Sequence, residues 1–358
     1  MNPELRLVFW ELTARCNLKC QHCRAEAQAD FAPNELTTAE VLRVAREIRE
    51  DADPIMILTG GEPLVRADIF DIAKECTRIF SRVALATNGT LVDDAMAQKI
   101  VAAGIQRVSI SLDGAKPATH DRFRGLPGSF EAALRGFDAL KRAGASLQIN
   151  VTVTQHNEAE ISDLLSLVLA RGADAFHVFM LVPVGCGAEI SDDVRLPPER
   201  FESVLRWLFD RSVELRGRVH VKATCAPQYY RIMHEVGRER NLGKPPSPHH
   251  GMEAMTRGCL AGSAVCFISR TGDVQPCGYL PLRVGNVRER KLGDIWQDSE
   301  VFMALRDPSQ LHGKCGACGF RKLCQGCRAR AYAADGDYLG AEPDCPYVPQ
   351  GGAMGGRQ

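Results

Sequence analysis

Residues 7–23 read LVFWELTARCNLKCQHC, an apolar run followed by three cysteines. Cys16, Cys20 and Cys23 are spaced Cys-x3-Cys-x2-Cys behind that run. The run predicts a strand over 6–12, and the thiols then lie on the loop that follows it. Three thiols this close together predict a metal site at the carboxyl end of the first strand.

The pattern of a strand followed by a helix repeats along the first 217 residues. Five more apolar runs predict strands at 54–58, 82–86, 107–112, 147–153 and 175–181. Helical patterns follow the six strands, near 37–50, 68–80, 92–103, 129–143, 158–171 and 198–216. Thr37 and Glu40 have capping-box spacing at the start of the first helix. Six βα units predict an α/β fold with a parallel sheet, which is an open, partial (β/α)6 TIM-like barrel because a closed barrel has eight units.

The composition changes after the sixth unit. We expect the barrel to occupy 1–217 and a Pro- and Gly-rich linker to occupy 218–254. Beyond it, a Cys-rich domain at 255–348 has little periodicity, so metal rather than a large apolar core is expected to organise it. A flexible tail is expected at 349–358.

The bulk numbers exclude several classes of protein. Among 358 residues, Lys+Arg and Asp+Glu both number 44, so no basic field favours nucleic-acid binding. No stretch has the length of a membrane span and no leader is visible, so we expect a cytoplasmic protein without a membrane partner. In that reducing compartment, the 14 cysteines are expected to be metal ligands or catalytic groups rather than disulfides.

The first three cysteines suit an iron–sulfur cluster with an open position. A four-iron cubane takes one protein ligand per iron, so three thiolates leave one iron free to bind a small molecule. A zinc site stays open as an alternative, with His22 as the nearest fourth ligand.

Several stretches in order resemble the radical S-adenosylmethionine (SAM) superfamily. Besides the cysteines, these are TGGEP at 59–63, TNG at 87–89 and SLDG at 111–114, each after a predicted strand. The resemblance implies that Cys16, Cys20 and Cys23 hold the catalytic cluster. It implies that the SAM contacts are Gly60, Gly61, Glu62, Pro63, Asn88, Ser111, Asp113 and His22. His22 departs from the family, which often has an aromatic residue there, but an imidazole can still pack on adenine.

The resemblance also implies the chemistry. The open iron would chelate the amino and carboxylate groups of SAM. One electron from the reduced cluster would then cleave the sulfonium and give a 5′-deoxyadenosyl radical. A flavodoxin or ferredoxin would be the electron donor.

The Cys-rich domain resembles a SPASM domain, the auxiliary-cluster extension of many radical SAM enzymes. Its eight cysteines suffice for two four-ligand sites, which makes three [4Fe-4S] clusters in all. The resemblance assigns one auxiliary cluster to Cys259, Cys266, Cys277 and Cys327, and the other to Cys315, Cys318, Cys324 and Cys345. Two zinc ribbons are the alternative. If Cys266 were not a ligand, the first auxiliary cluster would have an open iron. Of the other thiols, Cys76 is interpreted as a core residue, while Cys186 and Cys225 stay ambiguous.

Local sequences point to one branch of the superfamily. LVFWELTARCNLKCQHCRAEA (7–27), HDRFRG (120–125), CAPQYYRI (225–232) and RGCLAGSAVCFISRTGDVQPCGYLP (257–281) resemble enzymes of alternative haem biosynthesis, in particular the haem b synthases of the siroheme-dependent route. The resemblance implies oxidative decarboxylation of two propionates of Fe-coproporphyrin III to vinyl groups. Candidate carboxylate partners are Arg24, Arg122, Arg124, Lys222, Tyr229, Tyr230 and Arg231, and His249 and His250 could approach the porphyrin.

Two other functions stay open. Relatives of the haem b synthases act in haem d1 formation or on didecarboxysiroheme, and many SPASM enzymes, such as the sulfatase-maturing enzymes, modify peptides or proteins. A non-enzymatic iron–sulfur carrier would not need the SAM-loop motifs.

Overall fold

One β-sheet with helices packed against it organises the chain. The computed structural model describes residues 4–241 and 258–349. The strands are β1 (Leu7–Glu11), β2 (Ile55–Thr59), β3 (Val83–Thr87), β4 (Arg107–Ser111), β5 (Leu147–Val153), β6 (Ala175–Met180), β7 (His220–Thr224), β8 (Val265–Ile268), β9 (Asp273–Gln275) and β10 (Gly285–Asn286). Their order in the sheet is β10-β9-β8-β1-β2-β3-β4-β5-β6-β7, so the sheet is open at β10 and β7.

The helices follow the strands along the chain. They are α1 (Thr38–Asp51), α2 (Ile69–Ile79), α3 (Asp94–Ala102), α4 (Pro117–Arg124), α5 (Ser129–Arg142), α6 (Ile161–Ala170), α7 (Cys186–Val194), α8 (Pro198–Glu214), α9 (Gln228–Glu239), α10 (Leu292–Asp298), α11 (Glu300–Arg306), α12 (Gly313–Ala317) and α13 (Arg328–Asp335). The six predicted strands and the helices predicted after them are confirmed. So is the capping box of α1, in which the Glu40 carboxylate accepts the Thr37 N–H at 2.8 Å.

The strands are buried on both faces because helices cover one face and the interior of the partial barrel covers the other. On β1, alternate side chains divide between the two sides. Val8 and Trp10 belong to the large core that also contains Val44 of α1. Leu7 instead belongs to a second cluster with Ile57 of β2. This parallel-sheet architecture directs the carboxyl ends of the strands to one edge, where ligand sites of such folds lie.

The structure corrects the extent of the expected linker. Residues 218–241 form β7 and α9, and β7 pairs parallel with β6. The pattern at 220–224 was missed because the strand is short and only Val221 and Ala223 are buried. The rest of the expected linker and nearly all of the expected tail lie outside the described residues.

The Cys-rich segment continues the same sheet. β8 pairs parallel with β1, and β9 and β10 then add antiparallel strands at the edge. The described ranges contain no helix that is long and apolar enough to cross a membrane.

Candidate functional site

The three thiols after β1 open onto one cavity at the carboxyl end of the sheet. Cys16, Cys20 and Cys23 line this cavity, which measures about 880 Å³ including the part open to solvent. Burial raises the pKa of Cys16 to about 12, and charge on Cys20 and Cys23 raises it as well. The three thiols therefore line one cavity, and their charges act on one another.

The Gly60-Gly61 turn after β2 lies against the backbone of the cysteine loop. The Gly61 N–H donates to Thr13 O at 2.7 Å, and the Glu62 N–H donates to Arg15 O at 2.8 Å. A Cβ on Gly61 would lie 2.5 Å from Arg15 O, so only glycine allows this approach. Both glycines line the cavity.

Glu62 and Pro63 support this turn from behind rather than lining the cavity. The Glu62 carboxylate is fully buried and accepts hydrogen bonds from the Asn88 N–H at 2.7 Å and the Thr87 hydroxyl at 2.8 Å. Burial raises the pKa of Glu62 to about 7, although these donors oppose the rise. Asn88 itself lines the cavity, and its Nδ2 lies 3.9 Å from Cys16 Sγ. Glu62 thus ties the β3 end to the β2 turn.

Ser111 ends β4, and Asp113 follows two positions later. The two residues have different environments. Ser111 lines the cavity, whereas Asp113 is fully buried beside Arg124. The Arg124 Nη2 lies 2.5 Å from Asp113 Oδ2, and its Nη1 donates to Cys20 Sγ at 3.7 Å. Burial alone would raise the pKa of Asp113, but the Arg124 charge holds it below its ordinary value. Asp113 therefore orients Arg124 against the cysteine loop.

His22 also lines the cavity. Its ring stacks on Phe123 at 4.0 Å between centroids with 9° between planes. Burial lowers the pKa of His22 to about 4, so the imidazole is neutral near pH 7. A neutral, flat ring fixed in this way is suited to pack against another planar group.

Of the seven candidate carboxylate partners, all within the described ranges, Arg24 and Arg124 line the cavity. Arg24 Nη2 donates to the buried Glu11 carboxylate at 2.9 Å, and Arg270 Nη1 donates to the other oxygen at 2.6 Å. Two guanidinium groups on one carboxylate leave a net positive charge beside the cavity. Arg122, Lys222, Tyr229, Tyr230 and Arg231 lie elsewhere, and His249 and His250 lie outside the described residues.

A second group of thiols surrounds a separate cavity of about 380 Å³ in the C-terminal segment. Cys315, Cys318, Cys324 and Cys345 all line it, together with Arg231 and Lys314. Backbone N–H groups point at three of the sulfur atoms: Glu342 N at Cys315 Sγ (3.3 Å), Phe320 N at Cys318 Sγ (3.4 Å) and Gly326 N at Cys324 Sγ (3.4 Å). Such donors favour a thiolate over a thiol.

Cys259, Cys277 and Cys327 form a third group, and the structure places Cys266, which the resemblance assigned to the same cluster, on the other side of the sheet from Cys277. The thiolate charges of Cys259 and Cys327 both act on Cys277. Cys266 lies on β8 directly opposite Val8 of β1, on the side of the sheet that packs in the large core. Cys277 packs with the cluster on the other side of the sheet, which contains Leu7 and Val265. The alternation of side chains along β8 therefore directs Cys266 away from the group.

Comparison with known proteins identifies the family. The model of the radical SAM superfamily matches residues 10–168, and that of the SPASM iron–sulfur cluster-binding domain matches residues 259–328. The AdoMet-dependent heme synthase of Methanosarcina barkeri is 49% identical over 96% of this chain and 97% of its own length. The chain belongs to the radical SAM superfamily. The pre-heme d1 synthase of Dinoroseobacter shibae is 35% identical over 95% of this chain and 85% of its own length.

Solved structures share the fold of this radical SAM enzyme. Streptococcus suis SuiB bound to its precursor peptide SuiA superposes with a TM-score of 0.75 over 97% of this chain and 77% of SuiB, at 18% identity. The radical SAM and SPASM domains imply that SAM and iron–sulfur clusters are the cofactors.

The thiols fit clusters better than single ions. Among the described residues, no three His, Cys, Asp or Glu side chains converge closely enough to bind one metal ion. The thiols of the first two groups line the walls of cavities instead, and a cubane spreads its ligands in this way because each iron takes one thiolate. The first cavity combines three thiols with closely approached glycine backbone, which fits a cluster and the SAM bound to it.

Sequence reasoning missed Tyr279, which lines the first cavity. Burial raises the pKa of Tyr279, and charge on Cys225, Cys277 and Cys23 also acts on it. Tyr279 thus lies between the first thiol group and the third. Its position two residues after Cys277 was the available signal, but only the fold brings that segment over the loop after β1.

Proposed function

We propose that the protein converts two propionate side chains of Fe-coproporphyrin III to vinyl groups by radical SAM chemistry, giving haem b. We further propose that it carries three [4Fe-4S] clusters, one at Cys16, Cys20 and Cys23 and two in the SPASM domain. The full-length similarity to a heme synthase carries this proposal, since the pre-heme d1 synthase is clearly less similar. The cavity lined by Cys16, Cys20 and Cys23, with Arg24 and Arg124 on its wall, supports it.

The first cavity holds the residues that the reaction needs. When bound, SAM and its cluster supply one-electron chemistry that removes a hydrogen atom from an unactivated carbon. Loss of that hydrogen atom and of CO₂ turns each propionate into a vinyl group and leaves one surplus electron, for which an auxiliary cluster of the SPASM domain would be the acceptor. The protein has to position the β-carbon of the propionate and exclude water while this happens.

The residues around the cavity divide these tasks. The Gly60-Gly61 backbone, Asn88 and Ser111 are proposed to bind SAM, and His22 to pack against its adenine. Glu62 and Asp113 are proposed to act as positioning residues, because their carboxylates hold Asn88 and Arg124. Arg24 is proposed to bind a substrate propionate, since Arg270 neutralises Glu11 when Arg24 turns towards the substrate.

The test is anaerobic turnover. The reconstituted protein is incubated with SAM, a chemical reductant and Fe-coproporphyrin III, and the products are separated by chromatography with mass detection. We expect a mono-vinyl intermediate followed by haem b. SAM cleavage without either product would refute the proposal, and loss of acetate groups from didecarboxysiroheme in a parallel reaction would assign the protein to a sister step.

A variant pair tests the role of Arg24. Arg24→Gln is expected to raise the KM for the porphyrin about 10- to 150-fold, because a charge-assisted hydrogen bond contributes about 1.5–3 kcal/mol. Arg122→Gln is the matched control, since Arg122 is exposed and pairs with His156 outside the cavity. Equal KM values for both variants would contradict the role of Arg24.

A further inference from the structure

The structure brings a fourth thiol, Cys225, to the third group. Cys225 follows β7 directly and packs, like Cys277, against the small core that contains Cys327 and Leu280. After burial, charge on Cys327, Cys277 and Cys259 raises the pKa of Cys225. Three of the thiols, Cys225, Cys277 and Cys327, therefore come from separate segments of the chain and meet at one small core.

The backbone at Cys225 has an unusual conformation. Its φ is +55°, in the left-handed region that non-glycine residues avoid at a cost of roughly 1–2 kcal/mol. Observed strain of this kind concentrates at functional sites, where the surroundings maintain it. The segment is closely packed here: a Cβ on Gly258 would lie 2.8 Å from Pro227 Cβ, so the chain before Cys259 touches the chain after Cys225.

A buried cation accompanies the four thiols. Arg330 is fully buried, and its charge acts on both Cys225 and Cys327. Its Nε donates to Glu342 Oε1 at 2.9 Å, and the other carboxylate oxygen accepts the Cys327 N–H at 2.6 Å. Arg330 therefore fixes the Glu342 carboxylate, which in turn holds the backbone at Cys327.

We propose that Cys225 is the fourth protein ligand of the auxiliary cluster held by Cys259, Cys277 and Cys327. All four irons of that cluster then have a protein thiolate, so none is open to substrate. The cluster also ties the end of β7, in the barrel, to the SPASM segment. This proposal depends on the iron–sulfur cofactors of the family and not on the identity of the tetrapyrrole.

The test compares Cys225→Ala with Cys266→Ala in the full-length, anaerobically reconstituted protein. The measurements are iron per chain and the EPR spectrum of the reduced protein, with and without an added small thiol. The change in spectrum on adding SAM is recorded in every sample, because it shows that the barrel and its own cluster are intact.

For Cys225→Ala we expect one of two results. Either iron falls by about a third, the content of one cubane among three, or the cluster persists with an open iron and its spectrum changes on adding the thiol. Cys266→Ala is expected to match the wild type in both respects. The proposal is overturned if Cys225→Ala matches the wild type, or if the loss appears in Cys266→Ala instead. Should Cys225→Ala lose the SAM response, Cys225→Ser, which conserves size, replaces it. Because a serine oxygen can itself bind iron, the expected result is then a shifted EPR spectrum at unchanged iron content, and a spectrum identical to that of the wild type overturns the proposal.

Discussion

Replacing Gly61 by alanine tests how closely the turn after β2 must approach the cysteine loop. The added Cβ would lie 2.5 Å from Arg15 O and 2.6 Å from Ala14 O, and both are backbone atoms that cannot rotate away. Ordinary contact begins at 3.4 Å, so the turn has to move outwards by about 0.9 Å, the difference between 3.4 and 2.5 Å. Gly61 and Glu62 would then lose or stretch their hydrogen bonds to Thr13 O and Arg15 O.

Each of these two hydrogen bonds contributes about 0.5–1.5 kcal/mol, so the combined loss is about 1–3 kcal/mol. The turn is proposed to bind SAM through its backbone, and if the whole loss appears in SAM binding it corresponds to roughly 5- to 150-fold weaker affinity. The dissociation constant is measured anaerobically by calorimetry on the reconstituted protein, and thermal unfolding is recorded on the same samples.

Gly237→Ala is the matched control. A Cβ at Gly237, within α9, meets nothing within 4 Å, so the change is expected to leave SAM affinity unaltered and to stabilise the helix by up to about 1 kcal/mol. If Gly61→Ala bound SAM within about twofold of the wild type and unfolded at the same temperature, the close-approach reasoning would be refuted.

Four further expectations follow from other parts of the structure. Cys16→Ala should abolish deoxyadenosine formation, measured by chromatography, whereas Cys76→Ala should retain it because Cys76 lies in the core on α2. Cys324→Ala should reduce vinyl formation more than uncoupled SAM cleavage, and equal losses would contradict separate roles for the clusters. Arg124→Leu removes the ion-pair partner of Asp113 and leaves this buried carboxylate charged. The free energy of unfolding should fall by about 3–5 kcal/mol and the melting temperature by on the order of 10 °C. Arg122→Leu is the control, and because Arg122 is exposed it should change the free energy of unfolding by less than about 0.5 kcal/mol. Burial, and then the charge on Lys222, hold the pKa of His177 well below 6.5. Below pH 6.5 the unfolded chain therefore binds a proton that the folded protein does not, so the free energy of unfolding falls as the pH falls, by up to about 1.4 kcal/mol per pH unit for this one group. His177→Gln should remove this contribution, which thermal unfolding between pH 7 and pH 5 measures.

The sequence predicts most of the barrel because its signals are local. The strand patterns and the capping box at Thr37 depend on neighbouring residues, and so does the spacing of Cys16, Cys20 and Cys23. The sequence did not predict β7, because a short strand with only two buried residues has a pattern similar to that of a loop. The motifs were less informative about side-chain direction: Glu62 and Asp113 belong to the expected stretches, yet their carboxylates hold other residues of the site.

The position of Cys266 could not be predicted from the sequence for a related reason. Cys266 is near Cys259 along the chain, but alternation along β8 turns it into the core beside Val8. Cys225 is 34 residues before Cys259 in the numbering, and only the packing of β7 against β6 brings its segment to the same edge of the sheet. Proximity in the sequence therefore indicates which thiols lie together within one loop, but it does not indicate which thiols of different segments the fold brings together.

The order of strands explains why the first and third thiol groups are neighbours. β8 pairs with β1, the strand whose loop carries Cys16, Cys20 and Cys23, so the chain that returns from β8 and β9 lies over that loop. Arg24 joins the two segments: its guanidinium lies 4.6 Å from the ring centroid of Phe267 on β8, and its Nη1 donates to Gly278 O at 3.5 Å. Tyr279 then faces the first cavity while Cys277 faces the third group. The adjacency of the two segments, which the proposed reaction needs, therefore follows from a single strand pairing.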